Sequence, residues 1–399
     1  MNKKTVRDLE LSGKRVLMRV DFNVPLDNGT ITDDTRIQAA LPTIKYILDQ
    51  GACLVLMSHL GRPKGEKKPE FSLKPVADYL ANLVDGPVQM APETTGDEVK
   101  AMVNALQPGG IVVLENTRFH HEEEGKKCTA EEQAAFAKAL AELGDVYVND
   151  AFGTAHRSHA STAVVCKYME ICAAGMLMEK ELDYLGGAVE DPARPFIAVI
   201  GGAKISGKLE VLRSLMQKVN TLLIGGGMAY TFYKALGHSV GNSLVEEDLV
   251  DTARETLDMA KDNNVKFMLP TDNVVADTFD AEAATQTVGE EIPDGWMALD
   301  IGPETAAAYA EEIGGAATVV WNGPMGCFEM APFASGTFEV AKAIANSGCV
   351  SIIGGGDSVS AVNKSGLANR MSHISTGGGA SLEFLEGKEL PGVAALDDK

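Results

Sequence analysis

The sequence lacks the features that are typical of membrane-spanning proteins, secreted proteins and proteins with structural zinc sites. It has no run of about 18 apolar residues, so no membrane-spanning helix is predicted. Its first residues are mostly polar and charged and contain no apolar core of a signal peptide. The six cysteines are scattered without a Cys-x-x-Cys pair, which argues against a zinc site or a disulfide framework. We therefore expect a cytoplasmic protein.

Positive charge is scarce as well. The 399 residues include 35 Lys and Arg against 56 Asp and Glu, which gives a formal net charge of −21. An acidic surface repels nucleic acids and anionic membranes, so neither is expected as a partner. The apolar content of 45% is typical of a folded chain, and the length favours two or three domains.

Short apolar runs alternate with segments of helical periodicity along the chain. The runs are rich in β-branched residues and bounded by Gly, Asp or Asn, which is typical of buried strands in parallel sheets. The alternation predicts an α/β fold with doubly wound parallel sheets. The helical segments include residues 131–143, 209–219 and 248–263. The apolar runs include residues 15–20, 53–57, 111–114, 146–148, 196–200, 221–224, 267–269, 318–321 and 350–353.

A domain boundary is predicted near residue 190. Residues 175–189 form a helical stretch of mixed polarity, which is followed by Pro192 and Pro195. Two prolines so close together end a helix and begin a new unit.

In the first half of the chain, arginines follow the predicted strands. The carboxyl ends of parallel strands meet at one edge of a sheet, where ligands bind. Arginine suits carboxylates and phosphates, so a cluster of arginines at this edge predicts a site for a small polyanion. The four arginines are Arg36, Arg62, Arg118 and Arg157.

In the second half, glycine runs follow the predicted strands. Glycines let backbone N–H groups approach phosphate, so four such runs predict a nucleotide site. Residues 202–208 have the spacing of a phosphate-binding loop, but Leu209 stands where Ser or Thr would bind Mg²⁺. Asp357, directly after a glycine triplet, is the candidate ligand for that metal. The runs are residues 201–202, 225–227, 354–356 and 377–379.

A cluster of titratable residues at 120–124, with the sequence His-His-Glu-Glu-Glu, is expected to be a solvated loop. Its spacing fits no structural zinc pattern.

An anion site in one half and a nucleotide site in the other form the layout of a small-molecule kinase. An NAD-dependent dehydrogenase would also be a two-domain α/β enzyme, but the sequence has no Gly-x-Gly-x-x-Gly fingerprint.

Eight segments in order resemble the phosphoglycerate kinase family over essentially the whole chain. They are RVDFNVP (19–25), SHLGRP (58–63), LENTRF (114–119), DAFGTAHR (150–157), GGAK (201–204) with Lys208, WNGPMGCFE (321–329), GGGD (354–357) and STGGGA (375–380). The alternative that stays open is a non-catalytic nucleotide-binding relative on the same fold.

The resemblance implies two similar-sized domains, joined by a hinge helix, with a substrate cleft between them. It implies a phosphoglycerate-binding domain over residues 1–172 plus 381–399, a hinge over 173–190 and a nucleotide-binding domain over 191–380. The implied glycolytic and gluconeogenic reaction is reversible phosphoryl transfer between 1,3-bisphosphoglycerate with ADP and 3-phosphoglycerate with ATP. It would depend on Mg²⁺ and on domain closure, in a monomer.

The resemblance also implies roles for individual residues. Phosphoglycerate would bind to Asp21, Asn23, Arg36, His59, Leu60, Gly61, Arg62, Arg118 and Arg157. The nucleotide would bind to Gly202, Lys208, Gly226, Gly227, Asn322, Glu329, Gly355, Gly356, Asp357 and Ser358, with Asp357 holding Mg²⁺. The catalytic groups would be Arg36, Lys204, Gly378 and Gly379.

Overall fold

The computed structural model describes residues 2–399 and divides them into two compact units. The first unit contains residues 2–183 and Glu389–Lys399, and the second contains Tyr184–Lys388. The division falls within the helix Met176–Glu190. The bounds given above for the functional domains stay predictions.

The first unit is built on a six-stranded parallel sheet and a small hairpin. The sheet order is β5-β6-β4-β1-β7-β8, and β2 pairs with β3 in the hairpin, with the strands defined as follows. They are β1 (Arg15–Arg19), β2 (Leu26–Asp27), β3 (Thr30–Ile31), β4 (Cys53–Met57), β5 (Val88–Met90), β6 (Ile111–Val113), β7 (Val146–Asn149) and β8 (Cys172–Ala174).

Helices connect these strands. A capping box at Thr129 and Glu132 starts one of them, α5, because each side chain satisfies an otherwise unpaired amide at its first turn. The helices are α1 (Thr35–Asp49), α2 (Lys74–Leu80), α3 (Asp97–Asn104), α4 (His121–Glu124), α5 (Ala130–Ala141) and α6 (Met176–Glu190).

The second unit contains another six-stranded parallel sheet and a three-stranded antiparallel sheet. The orders are β11-β10-β9-β15-β16-β17 and β13-β12-β14. The strands are β9 (Phe196–Ile200), β10 (Thr221–Ile224), β11 (Lys266–Met268), β12 (Asn273–Ala276), β13 (Thr285–Val288), β14 (Met297–Ile301), β15 (Thr318–Asn322), β16 (Val350–Gly354) and β17 (His373–Ile374).

The helices of the second unit follow its strands, and a last short helix, α14, belongs to the first unit. They are α7 (Leu209–Leu215), α8 (Ala229–Leu236), α9 (Val250–Asp262), α10 (Pro303–Gly314), α11 (Ser335–Ser347), α12 (Gly356–Lys364), α13 (Gly378–Leu385) and α14 (Pro391–Ala394).

The central strands of both parallel sheets are buried along their length, as in β4 and β9. Side chains on both faces are covered, which is why these strands have continuous apolar runs rather than alternating ones. The prediction of an α/β fold with two parallel-sheet domains is confirmed. Within residues 2–399, no helix combines the length and apolar character needed to span a bilayer.

The order of the strands determines where sites can form. In the first unit, the chain passes from β1 to β4 and β6 and then returns to β7 on the other side of β1. In the second unit it passes from β9 to β10 and β11 and returns to β15 on the other side of β9. Crevices outside the carboxyl ends of strands at such reversals are where α/β sheets bind ligands.

Candidate active site

The first unit has a pocket of about 600 Å³ whose lining is strongly cationic. Four histidines and one carboxylate, that of Glu124, also line it. The cationic lining residues are Arg62, Lys64, Arg118, Arg157, Lys126 and Lys127. The pocket therefore brings together three of the four arginines that the sequence places after strands.

Arg118 is buried at the wall of this pocket. Its Nη1 donates to the carbonyl oxygen of Gly61 over 2.9 Å, and its Nε lies 3.1 Å from Glu124 Oε1. Burial and the nearby Arg157 lower the pKa of Arg118 to about 10. Gly61 has a φ of +61°, and a Cβ there would lie 2.4 Å from the Phe71 ring, so glycine is required at this turn.

His59 is a buried neutral base among cations. Burial, followed by Arg19, Arg118, Arg157 and Arg36, holds the pKa of His59 well below its usual range. The Nη2 of the fully buried Arg19 lies 3.3 Å from His59 Nδ1. Because arginine can only donate, this nitrogen of His59 accepts the hydrogen bond and is unprotonated.

Arg36, the fourth arginine, does not line the pocket, but it is held beside His59 by two neighbours. Its Nη1 donates to the carbonyl oxygen of Asn23 over 2.9 Å and lies 3.3 Å from Asp21 Oδ2. Asp21 Oδ1 in turn lies 3.8 Å from His59 Nδ1. Asn23 Oδ1 accepts a hydrogen bond from the Gly61 amide over 2.8 Å, which joins the segments after β1 and β4.

Two further predicted residues differ in exposure. Leu60 is buried, and its carbonyl oxygen accepts a hydrogen bond from Asn116 Nδ2 over 2.7 Å, so its backbone has a structural task. Arg62 is exposed and lines the pocket, so its guanidinium is available to a ligand.

Sequence reasoning missed two histidines of the pocket, although both lie in or beside a quoted motif. Burial and Arg157 lower the pKa of His156 to about 4, and its buried Nδ1 has no hydrogen-bond partner. Burial and the nearby Arg118 and Arg19 lower the pKa of His159 to about 3. Both rings are therefore neutral near pH 7, and they provide hydrogen-bonding groups rather than charge.

The expectation of a solvated loop at 120–124 is wrong. Residues His121–Glu124 form the short helix α4, and Glu123 is fully buried. Glu123 accepts hydrogen bonds from the amide and the hydroxyl of Ser161, over 3.0 and 2.6 Å. Ser161 Oγ also accepts a hydrogen bond from Arg19 Nε over 2.8 Å. The Glu123 carboxylate therefore holds Arg19 of the cationic site in place through Ser161. Gly125, which ends α4 with a φ of +66°, was the available signal of a helix.

In the second unit, the loops after β9, β10 and β15 pack against one another through their backbones where β9 and β15 lie side by side. The amide of Gly202 donates to the carbonyl of Pro324 over 3.1 Å, and the amide of Gly226 donates to that of Met325 over 2.9 Å. A Cβ on Gly226 would lie 2.6 Å from the Gly202 oxygen, and one on Gly227 would lie 2.8 Å from the Ala203 oxygen. These glycines are therefore required by the close packing of backbone segments, whether or not they also face a ligand.

Other glycines of the runs have open surroundings. Nothing lies within 4 Å of a Cβ built on Gly356 or Gly378. The helices α12 and α13 begin there, and neither has a side chain capping its first amides. Gly355 precedes α12 with a φ of +88°, and Gly379 lies in the first turn of α13. Uncapped amides at a helix N-terminus favour an anion such as phosphate.

Lys208 and Asn322 come together beside these helices. The Nζ of Lys208 donates to Asn322 Oδ1, and Asn322 is buried. Burial lowers the pKa of Lys208, against the opposing effect of Asp357 and Glu386. Because the hydrogen-bond partner of the ammonium group is a neutral amide, its charge stays available to a phosphate.

Asp357 and Ser358 occupy the first turn of α12 but have different surroundings. Asp357 is exposed, whereas the buried Ser358 Oγ accepts a hydrogen bond from the Gly323 amide over 2.5 Å. Within residues 2–399, no group of three His, Cys, Asp or Glu side chains could hold a metal ion. One exposed carboxylate fits Mg²⁺, which usually combines one or two protein carboxylates with substrate phosphates and water.

Lys204 and Glu329 are both exposed. Sequence reasoning missed Leu244, a side chain that is 45% exposed although it is large and apolar. Its Cδ2 would lie 3.3 Å from a Cβ on Gly227, so it lies directly beside the 225–227 run. No periodic pattern could have indicated it, because its position depends on a loop.

Comparisons with known proteins match nearly the whole chain to one family. A family model described as phosphoglycerate kinase matches residues 6–388. A phosphoglycerate kinase of Chloroherpeton thalassium is 57% identical over 402 residues, and one of Herpetosiphon aurantiacus is 58% identical over 401, with both chains covered completely. The solved structure of phosphoglycerate kinase from Coxiella burnetii is 42% identical, with a TM-score of 0.89 over 98% of each chain. The chain belongs to the phosphoglycerate kinase family, as its eight sequence segments predict.

Proposed function

We propose that this kinase transfers a phosphoryl group reversibly between 1,3-bisphosphoglycerate with ADP and 3-phosphoglycerate with ATP. The first unit would bind the phosphoglycerate and the second would bind the nucleotide with Mg²⁺. The observation that carries the proposal is the cationic pocket of the first unit, in a chain with a net charge of −21. Positive charge concentrated in an acidic protein indicates a site for a small polyanion.

The phosphoglycerate would be bound by two kinds of group. Arg62, Arg118 and Arg157 line the pocket and provide the charge that a phosphate and a carboxylate require. Asp21 and Asn23 lie next to Arg36, where they could orient that arginine and bind the substrate hydroxyl. His59, kept neutral by burial and by its cationic neighbours, accepts from Arg19 at Nδ1, so its Nε2–H would donate a hydrogen bond to the substrate.

The nucleotide would bind where the loops of the second unit interlock. Lys208 would contact its phosphates, and the amides of α12 and α13 would provide further donors. Glu329 and the 225–227 run would contact the nucleoside. Asp357 would hold Mg²⁺, which when bound offsets negative charge on the phosphates.

The chemistry needs no general base. The acceptor is the carboxylate of 3-phosphoglycerate, which is already ionised at neutral pH. Catalysis would therefore depend on position and on stabilisation of charge on the transferring group. Arg36, Lys204 and the amides of Gly378 and Gly379 would provide that stabilisation.

A coupled assay with 3-phosphoglycerate, ATP and Mg²⁺ tests the proposal. We expect ADP formation that requires all three components and is abolished when 3-phosphoglycerate is replaced by glycerate. If ADP binds but no turnover occurs, the chain is a non-catalytic relative. The cytoplasmic location stays a prediction from the sequence, and the monomeric state stays a prediction from the family resemblance.

A further inference from the structure

The loop of residues 202–208, which carries Lys204 and Lys208, has little intrinsic rigidity. Gly202 has a φ of +116°, and nothing lies within 4 Å of a Cβ built on Gly207. Lys204 and Ser206 are exposed, whereas Ile205 between them is fully buried. The ends of the loop are held at Gly202, by the Pro324 carbonyl, and at Lys208, by Asn322. The turn between them has one apolar anchor, Ile205, and a second attachment would fix its shape.

Glu246 provides that second attachment. Its Oε2 accepts a hydrogen bond from the Ser206 amide over 3.0 Å, and its Oε1 accepts one from the Ser206 hydroxyl over 2.6 Å. Partial burial disfavours the charge of Glu246, yet these bonds, the Ile205 amide and the nearby Lys204 lower its pKa. The carboxylate is therefore ionised at neutral pH and bound at two points.

The backbone of the same residue is attached to a second glycine loop. The Glu246 amide donates to Thr231 Oγ over 3.2 Å, and Thr231 is buried on α8, the helix that follows the 225–227 run. Leu244, two residues earlier, lies against Gly227 of that run. Glu246 thus links the 202–208 loop to the 225–227 loop.

We propose that Glu246 is a positioning residue for phosphoryl transfer, which fixes Lys204 and Lys208 by clamping the turn between them. It acts through Ser206 and does not itself touch the substrates. The inference rests on the proposed binding of the nucleotide at this loop. A displacement of about 1 Å at reacting groups can lower a rate a hundredfold, so such a clamp has a measurable effect.

The chain contains a matched control for the clamp. Glu291 Oε2 accepts hydrogen bonds from the amide and the hydroxyl of Ser239, over 2.7 and 2.8 Å. This second clamp joins the segment after α8 to the segment after β13, where Ser239 Oγ also donates to the Ile292 carbonyl oxygen over 3.1 Å. Glu291 Oε1 also pairs with His238 Nδ1 over 2.8 Å, so removing Glu291 measures what the loss of a Glu–Ser clamp and one ion pair does to stability.

Steady-state kinetics of Glu246→Ala, Glu246→Gln, Ser206→Ala and Glu291→Ala test the proposal, with thermal unfolding recorded for each. For Glu246→Ala we expect kcat to fall about 10- to 30-fold and KM for ADP to rise roughly 3- to 10-fold. KM for the phosphoglycerate should change less than about twofold, because its binding groups lie in the other unit. Glu246→Gln keeps one acceptor, so it should recover part of the lost kcat.

A double variant separates positioning from general destabilisation. Ser206→Ala added to Glu246→Ala should lower kcat no further, because both changes remove one shared contact. Glu291→Ala should keep kcat and both KM values within about twofold of the unmodified enzyme at a comparable loss of Tm.

The outcomes are distinguishable. If Glu246→Ala has the same kinetics as Glu291→Ala, the positioning role is overturned while the proposed function stands. If Lys208→Ala also leaves KM for ADP unchanged, the nucleotide does not bind at this loop, and the positioning role falls together with the assigned nucleotide site, while the coupled assay decides the activity itself.

Discussion

The Nζ of Lys208 donates a hydrogen bond to the side-chain oxygen of Asn322, the last residue of β15. The contact joins the loop after β9 to the neighbouring strand at the point where the strand order reverses. Burial lowers the pKa of Lys208, and the neutral amide oxygen of Asn322 accepts its hydrogen bond without cancelling its positive charge. A carboxylate in the same place would compete with a phosphate for the ammonium group.

Asn322→Asp tests that reasoning, because it changes charge at nearly constant shape. We expect KM for ADP to rise about tenfold or more, since an ion pair would neutralise Lys208. KM for 3-phosphoglycerate should stay the same. Asn363→Asp, at an exposed position of α12, is the control for added negative charge in the same unit. Equal effects of the two changes would contradict a local role for Asn322.

Lys204→Ala separates catalysis from binding. Lys204 is exposed, so its truncation should leave Tm nearly unchanged. We expect kcat to fall by about a hundredfold or more, because the ammonium would act on charge that develops in the transition state. Calorimetric titration should still detect ADP binding, and Lys234→Ala, an exposed lysine on α8, should behave as the unmodified enzyme. Normal turnover of Lys204→Ala would refute its catalytic assignment.

Arg62→Ala tests the anion pocket of the first unit. The side chain is exposed at the pocket lining, so its loss should weaken phosphoglycerate binding rather than folding. We expect KM for 3-phosphoglycerate to rise about 10- to 100-fold, as for a lost charge-assisted contact, with KM for ATP unchanged. Arg7→Ala, at an exposed ion pair with Glu179, is the matched control. An unaltered KM for 3-phosphoglycerate would remove Arg62 from the site.

Sequence patterns predicted the parallel sheets because burial on both faces produces continuous apolar runs. The runs at 53–57, 196–200 and 221–224 coincide with β4, β9 and β10. The short edge strands β5, β8 and β17 were not predicted, and neither was the antiparallel sheet that contains β12. β5, β8 and β17 contain only two or three residues, which gives a pattern few positions. In the antiparallel sheet, β13 is polar and mostly exposed, so it forms no apolar run.

The candidate site could likewise be predicted from the sequence only in part. Arg62, Arg118 and Arg157 could be predicted to meet because parallel strands end at one edge. Leu244 and Glu246 could not be, since their positions depend on turns between elements rather than on periodicity, and the four-residue helix that contains Glu123 is too short to show a period. Buried acids such as Glu123 also look like solvated residues in a sequence, because acidic runs usually are.

The neutral state of His159 predicts a specific dependence of stability on pH. Its pKa is lowered to about 3 by burial and by Arg118, Arg19, Arg157 and Lys126, although Glu123 lies 3.8 Å away. In the unfolded chain its pKa is about 6.5, so the unfolded state binds more protons between these values. The contribution of neutral His159 to the free energy of unfolding is therefore fully present above pH 6.5. It is lost as the pH falls from 6.5 towards 3, by up to about 5 kcal/mol.

His159→Gln removes that titration. Urea unfolding at several pH values should show the free energy of unfolding falling less steeply below pH 6.5 for the variant than for the unmodified protein. The difference between the two proteins should therefore shrink as the pH falls. Parallel curves would show that His159 does not titrate as its surroundings indicate.

Salt dependence of substrate binding tests how the charges of the whole protein act together. The net charge of −21 repels anions at long range, whereas the pocket lined by Arg62, Arg118 and Arg157 attracts them at short range. Both effects are screened beyond about 8 Å at physiological ionic strength, but the attractive contacts dominate once the substrate is bound. We therefore expect KM for 3-phosphoglycerate to rise with added KCl, and to rise less in Arg62→Ala, which has one contact fewer. Sucrose at equal osmolality should leave KM unchanged, and a KM independent of KCl would mean that binding does not depend on this cationic pocket.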